Sequence, residues 1–308
     1  MKSNLIQHLF TTRKLSKQDI ENLFDLAKKI ENNPNDYSEF CKGRILGNLF
    51  FEPSTRTRLS FESAMLRLGG KILGFTSSRD SSATKGESIA DTIRMVNHYA
   101  DIAVVRHYME GVGEVAKQFA TIPIISGGTG TQEHPTQALL DLYTLEKEFG
   151  NIDGLNIGFL GDLKYGRTIP SLLYSLIKYD KVKINLISPK TLRIRSNVEN
   201  RLSDAKSDFI VTENLHEVLE TLDALYVTRI QKERFLDPID YERLKNSYKI
   251  TPETLQDVKD HFVILHPLPR VDEIHYDVDK LKYSRYFEQA KNGVWVRMAL
   301  ILKLLGVE

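Results

Sequence analysis

Strand-like apolar segments alternate with helix-like amphipathic segments along most of the chain, and this alternation limits the fold more than any other feature of the sequence. One run of segments begins with a strand predicted at 45–51, and a second begins with a strand predicted at 155–160. Parallel strands need long crossovers, usually helices, so this alternation is typical of parallel sheets covered by helices. The sequence therefore predicts an α/β protein of two doubly wound parallel-sheet domains, with the active site in the cleft between them.

The domain boundaries depend on the last segment of the chain. Its apolar pattern at 284–305 predicts a long closing helix, which we expect to pack back on the first half of the chain. We therefore assign residues 1–135 and 290–308 to the first domain and residues 136–289 to the second.

Charge and cysteine content exclude several classes of protein. The chain has 42 Lys and Arg and 41 Asp and Glu, so it lacks the basic field that holds nucleic acid or an anionic membrane surface. Its one cysteine, Cys41, excludes internal disulfides and metal sites with several cysteine ligands. No apolar run approaches the roughly 18 residues of a membrane span, and residues 1–10 contain no signal-peptide core. These features predict a cytoplasmic protein.

The strongest local cluster is Phe-Glu-Pro-Ser-Thr-Arg-Thr-Arg at 51–58, which follows a predicted strand and opens a predicted helix. Ser54 is expected to cap this helix, and Ser16 and Asp19 have the spacing of a capping box at the first helix. Backbone N–H groups at a helix start attract anions, and arginine matches phosphate oxygens. The cluster predicts a phosphate site; the alternative is a capped helix with exposed arginines.

Further polar clusters lie at predicted strand ends or in loops beside them, where parallel sheets place ligand contacts. They are residues 80–87, 106–107, 134–137, 161–168, 228–231 and 266–270. Each cluster taken singly is also compatible with a strand-end turn or a solvated loop. Taken together they concentrate Arg56, Arg106, Arg167 and Arg229 in a nearly neutral chain, which favours a small polyanionic substrate set.

These clusters resemble the motifs of the aspartate and ornithine carbamoyltransferases, in the family's order and across essentially the whole chain. The matching segments are FEPSTRTR at 51–58, Lys85-Gly86-Glu87, Arg106-His107, HPTQALLDLYT at 134–144, GDLKYGRT at 161–168, TRIQKER at 228–234 and HPLPRVDEI at 266–274. The resemblance implies transfer of the carbamoyl group of carbamoyl phosphate to L-aspartate, giving N-carbamoyl-L-aspartate and phosphate in pyrimidine biosynthesis. It also implies that the first domain, 1–135 with 290–308, binds carbamoyl phosphate and that the second, 136–289, binds aspartate. It implies no metal and no cofactor.

The resemblance also implies a role for each matching residue. The phosphate is expected to contact Ser54, Thr55, Arg56, Thr57 and Arg106. The carbamoyl oxygen is expected to accept hydrogen bonds from Thr57, Arg106 and His134. The carbamoyl amide is expected to be held by Gln137 and by the backbone of Pro267 and Leu268. The aspartate carboxylates are expected to bind Arg167, Thr168, Arg229 and Gln231. Ser81 and Lys85 match a loop that reaches the neighbouring subunit's active site, which implies a homotrimer.

Three other functions fit the sequence less well than carbamoylation of aspartate. An ornithine site needs an acid for the substrate amine and usually has a cysteine in the loop matching 266–269, whereas Arg229 suits a carboxylate and Cys41 is far away in sequence. A non-catalytic phosphate-binding scaffold is expected to have lost catalytic positions, but all of them are present. The G-x-x-G spacing at 158–161 disfavours a nicotinamide dehydrogenase. The sequence leaves open whether a separate regulatory chain binds.

Overall fold

The computed structural model describes residues 7–130, 133–230, 238–244 and 247–308. The chain forms two compact units, residues 1–143 with 291–308 and residues 144–290. Both divisions fall inside helices, α5 (Pro135–Phe149) and α9 (Tyr286–Leu305). The assignment of one substrate to each domain, with boundaries at 135/136 and 289/290, stays a prediction.

The first unit contains a five-stranded parallel sheet in the order β1-β5-β4-β2-β3. Its strands are β1 (His8–Leu9), β2 (Ile45–Phe50), β3 (Lys71–Phe75), β4 (Ile102–His107) and β5 (Ile124–Thr129). The helices between and before them are α1 (Lys17–Asn32), α2 (Thr55–Arg67), α3 (Ile89–Val96) and α4 (Val112–Phe119).

The second unit contains another five-stranded parallel sheet, in the order β10-β9-β6-β7-β8. Its strands are β6 (Asn156–Leu160), β7 (Lys183–Ile187), β8 (Asp208–Thr212), β9 (Ala224–Val227) and β10 (Val263–Leu265). Its helices are α6 (Thr168–Leu176), α7 (Ser196–Asp204) and α8 (Pro238–Leu244). The predicted fold class, two doubly wound parallel sheets with helices, is confirmed.

The apolar patterns of the sequence explain the cores of the two units. In the first unit, β4 is buried along its whole length, as a central parallel strand must be. The helix α1 begins at the predicted capping box of Ser16 and Asp19, and it buries one face made of Ile20, Leu23, Phe24, Ala27 and Ile30. In the second unit, Leu160, Phe262 and Ile264 are fully or almost fully buried in one apolar cluster.

Each sheet contains a point at which the order of its strands reverses. The chain passes from β2 to β3 and then returns to the other side of β2 as β4; likewise it passes from β6 to β8 and returns beside β6 as β9. The loops that follow the two strands at such a point diverge, so a crevice opens at their carboxyl ends. Residues 51–58 and Arg106 lie at the first reversal, and residues 161–168 and Thr228-Arg229 lie at the second.

The strand β1 and the helix α8 were not predicted. The strand has only two residues, His8 and Leu9, which is too short for an alternating pattern, and it exists because it pairs with Ile124 and Ile125 of β5. Within the described ranges, every helix is too short or too polar to cross a lipid bilayer.

Candidate active site

The predicted phosphate cluster lies at the start of α2, directly after the central strand β2. Ser54 occupies the predicted N-cap position with extended backbone, although its side chain makes no capping hydrogen bond. The first turn of α2 also contains no acidic residue. Backbone N–H groups at this helix start therefore face neither the Ser54 hydroxyl nor a first-turn carboxylate, which suits an anion.

The two arginines of this cluster have different surroundings. Arg58 donates to Glu62 at 2.9 Å, one helical turn further along α2. Arg56 is exposed at the helix start, as Thr55 is. We therefore expect Arg56 to contact the phosphate and Arg58 to stabilise the helix by its ion pair.

Thr57 and His134 lie together although 77 positions separate them in the sequence. The Thr57 hydroxyl is 3.4 Å from His134 Nε2, and both residues are buried. Thr57 lies in the first turn of α2, while His134 directly precedes α5. The structure thus brings together two of the three predicted donors to the carbamoyl oxygen.

The third donor, Arg106, lies at the end of β4 beside the same reversal of strand order. Its guanidinium donates to Glu52 at 2.9 Å and to the carbonyl oxygen of Gly127 at 3.0 Å. The β4–β5 register shifts between Val105 and His107, where irregular pairing turns a side chain in a new direction. A Cβ atom at Gly127 would lie 3.3 Å from the Arg106 Cβ, so glycine lets β5 pass close to this arginine.

Gln137, on the first turn of α5, is oriented by a buried carboxylate. Its side-chain nitrogen donates to Asp141 Oδ1 at 2.8 Å; this assignment of the amide follows because an ionised carboxylate only accepts. The remaining amide atom, Oε1, is an acceptor. An acceptor is what the amide hydrogens of a carbamoyl group require, so this orientation suits the predicted role.

Arg297 connects the two helices that carry these residues. It lies on α9 with 3% of its surface exposed, and it donates to Ser60 Oγ at 2.9 Å and to Thr136 Oγ1 at 3.4 Å. Burial lowers the pKa of Arg297 to about 10, although the charge of Asp141 acts in the opposite direction. Arg297 therefore remains charged at neutral pH and links α2 with α5.

The loop that contains Ser81 and Lys85 has two short 3-10 turns, at Ser78–Asp80 and Ser82–Lys85. The Ser81 hydroxyl donates to the carbonyl oxygen of Ser78 and accepts from the N–H of Ala83, so it caps the second turn. Lys85 ends that turn and is exposed. Contact of Ser81 and Lys85 with a substrate stays a prediction.

In the second unit, Arg167 and Thr168 begin α6 after the turn that follows β6. Asp162 is fully buried and accepts hydrogen bonds from the backbone N–H groups of Lys164 and Tyr165, at 3.1 and 2.9 Å. These bonds fix the turn, so the half-buried Arg167 and Thr168 have a defined place at the helix start.

Arg229 is half-buried and follows β9, which pairs with β6. Thr228 beside it donates to the carbonyl oxygen of Leu160 at 3.1 Å. A Cβ at Gly161 would lie 2.2 Å from the carbonyl oxygen of Thr228, and its φ is +112°, so only glycine permits this approach. The two clusters that contain Arg167 and Arg229 therefore begin side by side at the carboxyl edge of one sheet.

Pro267 and Leu268 follow β10, which pairs with β9 on the side away from β6. Both residues are half-buried. They thus lie at the same edge of the sheet as Arg167 and Arg229. Gln231, the last predicted aspartate contact, lies outside the described residues.

Two family models match the chain. The carbamoyl-P binding domain of aspartate/ornithine carbamoyltransferase matches residues 7–147, and the Asp/Orn binding domain matches residues 153–304. The chain belongs to the aspartate/ornithine carbamoyltransferase family. The resemblance found in the sequence is confirmed.

Relatives of this carbamoyltransferase cover nearly the whole chain. The aspartate carbamoyltransferase catalytic subunit of Pyrobaculum islandicum is 51% identical over 297 residues, which are 96% of this chain and 97% of that protein. The catalytic subunit of Thermococcus kodakarensis is 50% identical over 301 residues, 97% of each chain.

Solved structures agree with these relatives. The catalytic subunit of M. jannaschii aspartate transcarbamoylase has a TM-score of 0.91 and 47% identity, with 98% of each chain covered. The Trypanosoma cruzi enzyme in complex with carbamoyl phosphate has a TM-score of 0.91 and 36% identity, covering 96% of this chain and 95% of the other.

Sequence reasoning assigned no role to the residues that orient the predicted ones. Glu52 lies inside the recognised motif at 51–58, but nothing in the sequence shows that it pairs with Arg106. Asp141 lies one turn after Gln137 on α5, a spacing that could have suggested the contact. Arg297 gave no signal, because Ser60 is 237 positions away.

Proposed function

We propose that this protein transfers the carbamoyl group of carbamoyl phosphate to the amino group of L-aspartate, giving N-carbamoyl-L-aspartate and phosphate. The observation that carries the proposal is the grouping of Thr57, His134 and Arg106 beside the start of α2, at the reversal of the first sheet. Hydrogen-bond donors to a carbonyl oxygen thereby lie next to an anion-binding helix start. An acyl phosphate presents those two groups side by side.

The phosphate of carbamoyl phosphate binds the start of α2. The backbone N–H groups there and the hydroxyls of Ser54 and Thr55 supply hydrogen bonds, and Arg56 supplies charge. Phosphate is the leaving group, so its negative charge grows as the reaction proceeds. Cations and hydrogen-bond donors that contact its oxygens therefore stabilise the transition state more than they stabilise the bound substrate.

The carbamoyl carbon is attacked by the neutral amino group of aspartate. A C–N bond forms, the C–O bond to phosphate breaks, and phosphate leaves with the bonding electrons. Negative charge develops on the carbonyl oxygen, where Thr57, Arg106 and His134 donate hydrogen bonds as an oxyanion hole. The attacking nitrogen loses its extra proton to the departing phosphate. The phosphate becomes a stronger base than it was in carbamoyl phosphate, because it keeps the electrons of the broken C–O bond.

The two carboxylates of aspartate bind the second unit. Arg167 and Arg229 follow adjacent strands of the second sheet and supply positive charge to the carboxylate oxygens. Thr168 and Gln231 bind the same carboxylates. This charge favours aspartate over ornithine, whose side chain ends in a cation. Gln137 and the backbone of Pro267 and Leu268 hold the carbamoyl amide.

The active form is a homotrimer in the cytoplasm, in which Ser81 and Lys85 of one chain complete the site of its neighbour. The exposure of Lys85 at the end of its turn supports this assignment. Large apolar side chains are also exposed in the elements that flank the loop in sequence, and a subunit interface would cover them. They are Leu59, Leu66, Met95 and Tyr99.

A colorimetric assay of the ureido product tests the proposal. The purified protein is incubated with carbamoyl phosphate and either L-aspartate or L-ornithine, and its mass in solution is measured in parallel. We expect product with aspartate and none with ornithine. Product with ornithine alone would contradict the assignment of Arg167 and Arg229, and no product from a folded trimer would contradict carbamoyl transfer itself.

A further inference from the structure

A buried histidine–glutamate pair, His266 and Glu273, contacts the backbone of the loop that contains Pro267 and Leu268. His266 follows β10, and its Nε2 lies 2.8 Å from Glu273 Oε1; the two side chains are 1% and 10% exposed. The other ring nitrogen, Nδ1, accepts the backbone N–H of Leu268 at 2.7 Å. Neither His266 nor Glu273 has a role in the reaction described above.

The hydrogen bonds determine the protonation state of His266. The N–H of Leu268 can only donate, so Nδ1 accepts and carries no proton. The proton of the neutral ring is therefore on Nε2, from which it donates to Glu273. The other oxygen of Glu273 accepts from the N–H groups of Val271 and Asp272, each at 3.1 Å.

Glu273 is suited to hold this ring as an ionised carboxylate. Burial alone would raise the pKa of Glu273, but hydrogen bonds from His266 and from the backbone outweigh it and keep the pKa below its ordinary value. The carboxylate consequently stays charged at neutral pH and accepts all three bonds.

The backbone of the loop is fixed on several sides. The N–H of His266 donates to Gln289 Oε1 at 2.8 Å, and Gln289 is 1% exposed. Leu268 has a φ of +54°, a left-handed conformation that costs energy for a leucine and needs support from its surroundings. The bond to His266 Nδ1 and the packing of the Leu268 side chain on the core of the second unit supply that support.

We propose that Glu273 and His266 are positioning residues that aim the carbonyl groups of Pro267 and Leu268 and thereby select a carbamoyl group over an acyl group. This inference rests on the proposed function. Carbamoyl phosphate carries an NH₂ where acetyl phosphate carries a methyl group, and only the NH₂ can donate to these carbonyls. A site built to hydrogen-bond a substrate NH rejects the analogue that lacks it, because its own polar groups then stay unpaired.

Two substitutions of the same histidine separate its two contacts. In His266→Asn, the side-chain oxygen takes the place of Nδ1 and can still accept from Leu268, but the contact with Glu273 is lost. In His266→Gln, the amide nitrogen takes the place of Nε2 and can still donate to Glu273, but the contact with Leu268 is lost. Both substitutions remove the imidazole ring. A difference in activity between the two variants therefore shows which of the two contacts matters more.

The measurement is the ratio of kcat/KM for carbamoyl phosphate to kcat/KM for acetyl phosphate, with L-aspartate as acceptor and both N-acylated products detected by mass spectrometry. Acetyl transfer forms the same C–N bond and releases phosphate. We expect His266→Gln to lower the ratio about tenfold, the effect of roughly one substrate hydrogen bond. His266→Asn should lower it less, by about threefold, because an acceptor for the Leu268 N–H remains but Glu273 no longer orients it. Glu273→Gln should also lower the ratio. The NH₂ group of the new side chain would face a hydrogen-bond donor, either His266 Nε2 or the N–H groups of Val271 and Asp272, and would disturb the position of His266.

The same strand provides a matched control at its other end. His261 precedes β10, whereas the loop follows it, and His261 Nε2 lies 3.1 Å from Asp223 Oδ1. His261→Gln should leave the ratio unchanged. Inorganic phosphate lacks the carbamoyl NH₂ group that this loop is proposed to hold. Its inhibition constant should therefore be the same in every variant as in the wild type.

The results distinguish positioning from a structural role. Equal reductions of kcat/KM with carbamoyl phosphate and with acetyl phosphate, which leave the ratio constant, would overturn the inference. Wild-type ratios in both His266→Gln and Glu273→Gln would also overturn it. If His266→Gln does not fold, a wild-type ratio in Glu273→Gln overturns it alone. Failure of the proposed function itself is seen separately, as absence of N-carbamoyl-aspartate with the wild-type protein.

Discussion

Replacing Thr57 by valine removes one hydroxyl from the candidate active site while keeping the shape of the side chain. The Thr57 hydroxyl lies 3.4 Å from His134 Nε2, which is long for a hydrogen bond, so its loss should cost less than about 1 kcal/mol of unfolding free energy. A change of that size shifts the Tm by at most about 4 °C in a domain of this size. Folding is therefore expected to survive the substitution.

The effect of Thr57→Val on the reaction is expected to be much larger. Loss of one oxyanion-hole donor typically lowers kcat by roughly 10²–10³, or about 2.7–4 kcal/mol of transition-state stabilisation. The assay is steady-state formation of N-carbamoyl-aspartate at saturating substrates, with the Tm measured on the same samples. Ser63→Ala removes a hydroxyl from the exposed side of the same helix and should leave kcat unchanged. A kcat for Thr57→Val within about threefold of wild type, from a folded protein, would refute the oxyanion-hole assignment.

Three further predictions concern charge, assembly and the thiol. Arg56→Ala should abolish measurable turnover and barely change the Tm, because Arg56 is exposed; near-normal turnover would remove it from the phosphate site. Inactive Arg56→Ala and Lys85→Ala proteins, mixed and allowed to exchange subunits, should recover up to about a quarter of wild-type activity, since a quarter of the shared sites would be intact. No recovery despite exchange shown by mass spectrometry would argue against a shared site. Burial raises the pKa of Cys41 to about 11, so a thiol reagent at pH 8 should label it only after unfolding, and rapid labelling of native protein would contradict its burial.

The sequence predicts a helix cap correctly where the partner residue is close in the chain. The Ser16 hydroxyl accepts from the N–H of Asp19, and the Asp19 carboxylate accepts from the N–H of Ser16, as the capping box predicts. The residue three positions after Ser54 is Thr57, which has no carboxylate to offer. Ser54 nevertheless occupies the predicted N-cap position, and its hydroxyl makes no capping hydrogen bond.

Residues that orient the predicted contacts were not found because they depend on the fold. Arg106 and Glu52 meet only after β2 and β4 have paired, and Arg297 reaches Ser60 only after α9 has packed on α2. The strand β5 extends over Ile124–Thr129 and includes Gly127. A glycine weakens a strand in general, but the contacts that a Cβ at Gly127 would make show that glycine lets β5 pass close to β4 here.

A crystal structure of the protein with N-(phosphonacetyl)-L-aspartate tests the site as a whole, because this molecule joins an analogue of the phosphate to aspartate. The Trypanosoma cruzi relative has been solved in complex with it. We expect the phosphonate at the start of α2 with Arg56 and Arg106, the carbonyl oxygen within hydrogen-bond distance of Thr57 and His134, and the carboxylates on the arginines of the second unit. A phosphonate bound away from the start of α2 would contradict the account.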